Sequence, residues 1–250
     1  IFTETFITED ARIEVKGLYN IHALARKEER GRPSGGVTCL ISPKLTPFEI
    51  LMRDDDQVVV RTKIGVLVCV YYRPDCSAID IIDNIQRAFD VIQSNERIIL
   101  GGDLNCSVDK VSSKADMVLN YLEGEGLRLV NNRNMHTYMC HNGGSAIDLM
   151  FVRGFDIQEH GLLTNCEAAV IRKHVPVVTT LRITQSLRNQ EKTERVRRIL
   201  DQTLLQDNED KIPHILQAIS EGNLDRTMSE ITELIEEGII TIDITRRTQK

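Results

Sequence analysis

The side chains best able to do chemistry stand where apolar runs end. Ile98-Ile99-Leu100-Gly101-Gly102-Asp103-Leu104-Asn105 carries a buried-strand pattern into two glycines and then into an Asp and an Asn two positions apart. Because strand side chains alternate, Asp103 and Asn105 are expected on one face, a carboxylate and an amide aimed at a common point. Taken alone, Gly-Asp-x-Asn is also ordinary turn chemistry. In Ser145-Ala146-Ile147-Asp148-Leu149-Met150-Phe151-Val152 an Asp interrupts an apolar run. A carboxylate there needs a partner, since burying it unpaired is costly or forces it neutral. His174, which opens His174-Val175-Pro176-Val177-Val178, is the candidate. An Asp that holds a His fixes its tautomer or keeps it charged against a phosphate. A His at a strand start, read singly, is a surface residue. Two further segments belong with these: Tyr71-Tyr72-Arg73-Pro74 after an apolar strand, and Thr3-Glu4-Thr5-Phe6 near the start of the chain.

These residues need strand edges to hold them, and the sequence supplies strands. Val37 to Ile41, Gln57 to Thr62, Gly65 to Tyr72, Arg97 to Leu100, Ala146 to Val152 and Val175 to Ile183 are Val/Ile-rich and bounded by turn residues. Between them the period changes. Ser77 to Gln93 places Ile81, Ile85, Ala88 and Ile92 at helical spacing behind a Ser N-cap, and Ser113 to Gly124 places Val118, Tyr121 and Leu122 on one face. Strands with helices inserted at wide intervals predict a layered α/β domain. After Thr184 the texture changes: Gln190 to Gln206 reads as an amphipathic helix, with a second helix through Leu224, Met228, Ile231, Leu234 and Ile235 ending at Gly238.

The 250 residues fit one large domain plus an appendage, and 41% hydrophobic with 27% charged residues excludes a disordered chain. No apolar run approaches a bilayer span, and Ile1-Phe2-Thr3-Glu4 lacks the features of a signal peptide. An intracellular protein, in nucleus or cytoplasm, with no membrane partner is expected. The six cysteines lack CxxC spacing, which favours reduced, structural thiols. A net charge of -6 argues against a surface built wholly for nucleic acid but leaves room for a local basic groove, for which Arg26-Lys27-Glu28-Glu29-Arg30-Gly31-Arg32 is a candidate. The opening without an initiator Met is expected of a fragment.

One feature ties the scattered residues together, namely their order: Glu4, the Tyr72-Arg73-Pro74 step, Asp103 with Asn105, Thr137-Tyr138, Ser145 with Asp148, then His174. That order resembles the endonuclease/exonuclease/phosphatase superfamily, which includes abasic-site nucleases, pancreatic DNase and the endonucleases of LINE-type (non-LTR, jockey-like) retrotransposon polyproteins. The resemblance covers residues 1 to 183. Arg30-Gly31-Arg32-Pro33-Ser34-Gly35-Gly36-Val37 resembles the retroelement group's glycine-rich turn into a strand, and residues 184 to 250 resemble its helical link toward a reverse transcriptase.

The resemblance implies a four-layered α/β sandwich of the DNase I-like type, two packed mixed sheets flanked by helices, with the first strand absent and a helical appendage. It implies an endonuclease/exonuclease/phosphatase-like domain over 1–184 and a helical linker over 185–250 toward a reverse transcriptase domain in the same polyprotein. Glu4 becomes the ligand of Mg²⁺, or of Mn²⁺ in its place. Tyr72 contacts the scissile phosphate, and Asp103 orients or deprotonates the attacking water with Asn105 beside it. Asp148 holds His174, which stabilises charge on the phosphoryl oxygens. Thr137, Ser145, Arg73 and Lys173 fall to substrate binding.

Two departures stand out. The family's Asn from a first strand upstream of the Glu has no counterpart after Ile1, and Lys173 stands where the family carries an Asp before its His. The implied function is a metal-dependent phosphodiesterase that nicks DNA to give a 3′-OH primer for reverse transcription. Two alternatives remain: a domesticated copy that binds without turnover, and a phosphatase of small phosphorylated substrates, which needs a pocket rather than an open groove. All of this requires Glu4, Asp103, Asp148 and His174 to converge on one rim where two sheets meet.

Overall fold

Gln57 to Val60 is buried at four successive positions, the mark of a strand covered on both faces. Around it the computed structural model, which describes residues 1–8, 14–27, 31, 33–110, 112–141, 143–164, 173–183, 196–200 and 239–243, builds a mixed sheet. The elements in chain order are β1 (Phe2–Thr3), β2 (Tyr19–Ala23), β3 (Val37–Ile41), β4 (Phe48–Arg53), β5 (Gln57–Thr62), β6 (Gly65–Tyr71), α1 (Ala78–Asp90), β7 (Ile98–Asp103) and α2 (Ser113–Gly124). They continue with β8 (Arg128–Leu129), β9 (Tyr138–Cys140), β10 (Gly143–Ser145), β11 (Asp148–Arg153), β12 (Phe155–Leu162) and β13 (Val177–Ile183). The chain divides into two compact units, Ile1–Asn189 and Gln190–Lys250.

The main sheet has the order β4-β5-β6-β7-β11-β8. β6 and β7 run parallel, and the other pairings are antiparallel. A parallel pair needs a long crossover, which α1 supplies. Ser77 starts that helix with a capping box against Asp80, an arrangement that contributes about 1 kcal/mol. Ile81, Ile85 and Phe89 of α1 and Val118 and Leu122 of α2 then pack on Val59, Val68, Val70, Leu100 and Phe151. Both helices therefore lie on one face of the sheet, and among the described residues no helix flanks the other side.

That other face receives strands. Val58, Val60, Cys69 and Tyr71 pack against Ile21, Val37, Cys39 and Ile41 of the three-stranded sheet β1-β3-β2. Farther along, Val130, Val152 and Phe155 meet Ile99, Met150, Ile157 and Leu181, which seats the β12-β13 hairpin. The result is an α/β sandwich as expected, two strand layers face to face with helices outside one of them; among the described residues no helices form the fourth layer.

Sequence periodicity passes over β2, β4 and β12, whose runs mix polar with apolar residues because one face or edge is exposed. The appendage needs a correction. Residues 196–200, expected within a helix over Gln190 to Gln206, form β14 (Val196–Leu200), paired antiparallel with β15 (Ile239–Asp243). The β-branched run Ile239-Ile240-Thr241-Ile242 offers a strand partner, and that distant pairing overrides the local helical period. The helix expected through Leu224 and Ile235 lies outside the described residues. Among the described residues, no helix is long and apolar enough to cross a membrane.

Candidate active site

Three neighbouring strands end at the same level with polar side chains on the strand-packed face. Tyr71 of β6 is in register with Asp103 of β7, and Asp103 with Asp148 of β11. Alternation settles the face. Tyr71 shares its side of β6 with Cys69, and Asp148 shares its side of β11 with Met150 and Val152, all on the face that meets the second strand layer.

His174 arrives from the segment before β13. Its Nδ1 lies 2.9 Å and 3.1 Å from the two carboxylate oxygens of Asp148. Tyr138 packs edge-on against its ring at 4.9 Å. The Asp148 hydrogen bond raises the imidazole pKa above its ordinary value, against the opposing effect of burial. Asp103 is 2% exposed, and burial first, then the Asp148 carboxylate, pushes its pKa up to about 7. Ligand atoms of Asp103, Asp148 and His174 all fall within 4.8 Å of one another. Two hard carboxylates this close form a donor set that suits a divalent cation, with His174 beside them.

Glu4 stands beside this group rather than in it. Its Oε1 accepts a 2.9 Å hydrogen bond from the Tyr71 hydroxyl, and it lines, with Phe2, Phe6, Leu40 and His174, a cleft of about 460 Å³. Gly35 and Gly36, in left-handed backbone, accept the N–H groups of Phe6 and Thr5 and so fix the segment that presents Glu4. A Cβ on Gly36 would sit 2.7 Å from the Thr5 hydroxyl, which is why the turn is glycine.

Asn105 departs from the expected alternation. β7 stops at Asp103, and Asn105 turns to φ 47°, where its N–H donates to Asp103 Oδ1 at 3.0 Å and its amide donates to the Tyr72 carbonyl at 2.7 Å. Among the described residues, the non-glycine positions with positive φ are Glu4, Phe6, Asn105 and Lys173. Three of the four are site residues, so backbone strain concentrates where the chemistry is expected.

Several expected contacts are placed otherwise. Tyr72 is fully buried in the core under the helices. The residue that reaches the site is Tyr71, one position earlier, because adjacent strand residues face opposite ways. The repeating Val66, Val68, Val70 of β6 was the signal that could have assigned Tyr72 to the core. Thr137 is likewise inaccessible to substrate, at 0% exposure. Its hydroxyl accepts the N–H groups of Ile147 and Asp148 at 3.1 and 2.9 Å, so it positions Asp148 from behind. Asn131 does the same along β11, donating to the Asp148 carbonyl at 3.0 Å. Arg73 pairs with Asp75 at 3.4 Å. Ser145 is half-buried beside Lys110 at 3.2 Å, and Lys173 is exposed next to His174. Arg26, from the expected basic loop, is committed to Asp55 and Asp56.

Residues 65–178 match the protein family described as Endonuclease-reverse transcriptase. No curated protein matches the chain. Among solved structures it is similar to the endonuclease domain of TRAS1, a telomere-specific non-LTR retrotransposon, with 18% identity and a TM-score of 0.53 over 68% of this chain and 82% of that one. It is similar to an AP endonuclease from Archaeoglobus fulgidus (10% identity, TM-score 0.54, 72% and 87% covered). It is also similar to the 3′ phosphatase NExo from Neisseria bound to product DNA hairpin (11% identity, TM-score 0.52, 72% and 87% covered). Identities this low speak to fold, and the fold agrees with the matched family and with the strand-end carboxylates. Over residues 65–178 this chain is thus similar to the Endonuclease-reverse transcriptase family, and its fold is similar to that of the endonuclease domain of a non-LTR retrotransposon.

Proposed function

We propose that this protein is a divalent-cation-dependent endonuclease that nicks DNA and leaves a 3′ hydroxyl able to prime reverse transcription. The observation that carries the reading is the Asp148–His174 pair facing Asp103 at one strand-end rim, with Glu4 on the adjoining cleft. Glu4, Asp103 and Asp148 are the carboxylates that would hold the cation. Mg²⁺, or Mn²⁺ in its place, would supply charge neutralisation on the phosphoryl oxygens when bound.

The remaining work belongs to the side chains. Asp103, with its elevated pKa, is suited to take a proton from the attacking water near neutral pH. Asn105, braced on the Tyr72 carbonyl, fixes the backbone that carries Asp103. His174, whose pKa the Asp148 hydrogen bond raises, is suited to stabilise negative charge as the phosphorane forms. Tyr71 orients Glu4 through its hydroxyl. Thr137 and Asn131 hold the start of β11 so that Asp148 is aimed correctly.

Supercoiled plasmid incubated with the protein in Mg²⁺ should convert to open circles, and EDTA should stop it. Asp103→Ala and His174→Ala should each lower the rate by about 100-fold or more. The nick should prime a polymerase without prior phosphatase treatment. Nicking that survives both substitutions, or products blocked at the 3′ end, would remove the proposal.

A second reading rests on Lys173. This exposed ammonium lies in left-handed backbone immediately before His174, where the family carries a carboxylate. On this reading the domain binds without turnover. Absence of nicking in the native chain, restored by Lys173→Asp, would favour it.

A further inference from the structure

The loop that leaves Asp103 and Asn105, and the first turn of α2 after it, carry two ammonium groups with no part in the chemistry above. Lys110 Nζ donates to Ser145 Oγ at 3.2 Å, and Lys114 Nζ donates to the Pro74 carbonyl at 3.3 Å. Each acceptor is neutral, and each lies beside a strand that supplies the site: Ser145 precedes Asp148, and Pro74 follows Tyr71 and Tyr72. Among the described residues, neither ammonium has a carboxylate within 4.0 Å. In a chain of net charge -6, Arg26, Arg61, Arg73 and Arg87 are by contrast each paired with an acid, and what distinguishes Lys110 and Lys114 among the unpaired cations is that their acceptors adjoin the strands of the site.

The loop between the lysines and the catalytic strand is fastened. Asp109 Oδ1 accepts hydrogen bonds from Ser107 Oγ and from the Ala146 N–H, both at 2.8 Å. Its Oδ2 lies 3.4 Å from His136 Nε2. His136 in turn lies over Gly144, where an added Cβ would come within 2.4 Å of its ring. Asp109 thus ties the loop to the approach of β11, so Lys110 is held in place.

We infer that Lys110 and Lys114 are a backbone clamp: two cations that grip phosphates of duplex DNA beside the loop carrying Asp103 and Asn105. A free ammonium tethered to a neutral acceptor keeps its full charge and two spare donors for a phosphate oxygen, whereas a paired one must first surrender its partner. The clamp rests on the reading of the site as a phosphodiesterase acting on DNA, and it names the residues that place the strand there.

Binding of a fluorescent duplex in EDTA, followed by anisotropy across a salt series, tests it. Each lost phosphate contact lowers the slope of log affinity against log salt by about 0.9. Lys110→Gln with Lys114→Gln should therefore lower the slope by about 1.8 and weaken binding several-fold at low salt. Lys110→Arg with Lys114→Arg should keep the native slope, which separates lost charge from a damaged fold. Lys44→Gln with Lys63→Gln, the same charge change on residues before β4 and in the turn between β5 and β6, should leave the slope unaltered. The clamp is refuted if the Gln pair at 110 and 114 keeps the native slope, or if the control pair loses as much. Native protein that hydrolyses bis(p-nitrophenyl) phosphate but shows no salt-dependent duplex binding refutes the clamp alone. Loss of both activities sinks the phosphodiesterase reading as well.

Discussion

Asp103 carries an ionisable group whose folded and unfolded states differ in proton affinity, and the sign of that difference makes a testable statement. Its folded pKa, about 7, lies above the ordinary aspartate value, so the protonated form is the one the fold favours. That contribution is complete below about pH 4 and disappears as pH rises through about 7. In EDTA, Asp103→Asn should therefore raise the melting temperature at pH 8 by a few degrees, equivalent to about 1–3 kcal/mol, and should have little effect at pH 4. Thermal melts of both proteins at the two pH values decide it. Catalysis needs the opposite state of the same group. Nicking should rise as Asp103 ionises near neutrality and fall as His174, whose pKa is raised by Asp148, loses its proton above the ordinary histidine value. More Mg²⁺ should move the rising limb to lower pH, since the cation favours the carboxylate. A rising limb insensitive to Mg²⁺ would mean that Asp103 does not share its field with the cation.

At the scale of elements, the site depends on how closely β6, β7 and β11 approach one another. Gly102 has φ 149°, and a Cβ there would fall 1.8 Å from the Val70 carbonyl oxygen. Gly102→Ala must push apart the parallel pair that aligns Tyr71 with Asp103, so a loss of more than about 3 kcal/mol is expected, visible as a collapsed urea midpoint or as insoluble protein. The Gly-Gly step before Asp103 is thus a packing requirement of the sheet as well as a turn signal. Thr137→Val probes the support behind β11. It keeps the volume but removes the acceptor for two N–H groups, at a cost of about 1–3 kcal/mol, and frees the start of the strand that aims Asp148. Its turnover should fall further than its DNA affinity. An equal loss in both would assign Thr137 to substrate contact instead.

Across the unit Ile1–Asn189, two strand layers meet with carboxylates gathered at the junction. A cation bound only by the folded state stabilises it by RT ln(1 + [L]/Kd), about 1.4 kcal/mol at ten times Kd. Titrating Mg²⁺ into the native protein should raise the melting temperature in proportion, and Asp103→Asn should show a smaller rise. Equal shifts in both would place the ion elsewhere. This linkage also gives the crowded carboxylates a physical account. Charge repulsion that costs stability in the free protein becomes binding energy for the cation, a common form of stability exchanged for function.

The sequence by itself determined a good part of the local structure and which residues are chemically able to act. The Ser77 N-cap and the Ile81, Ile85, Ala88 spacing defined α1; the Val/Ile runs defined β3, β5, β6 and much of β7; and an Asp inside an apolar run required a partner, which proved to be His174. These features were legible because capping, periodicity and the cost of a buried charge act over a few residues or demand one specific remedy. Only the tertiary structure decided that Tyr71 rather than Tyr72 faces Glu4, that Thr137 supports Asp148 from the interior, and that residues 196–200 pair with 239–243 as strands. In each case the deciding contact joins segments far apart in the chain. Which face of a strand is packed against what, and which strand finds a partner, is fixed by register and layer packing, and local propensity carries no information about either.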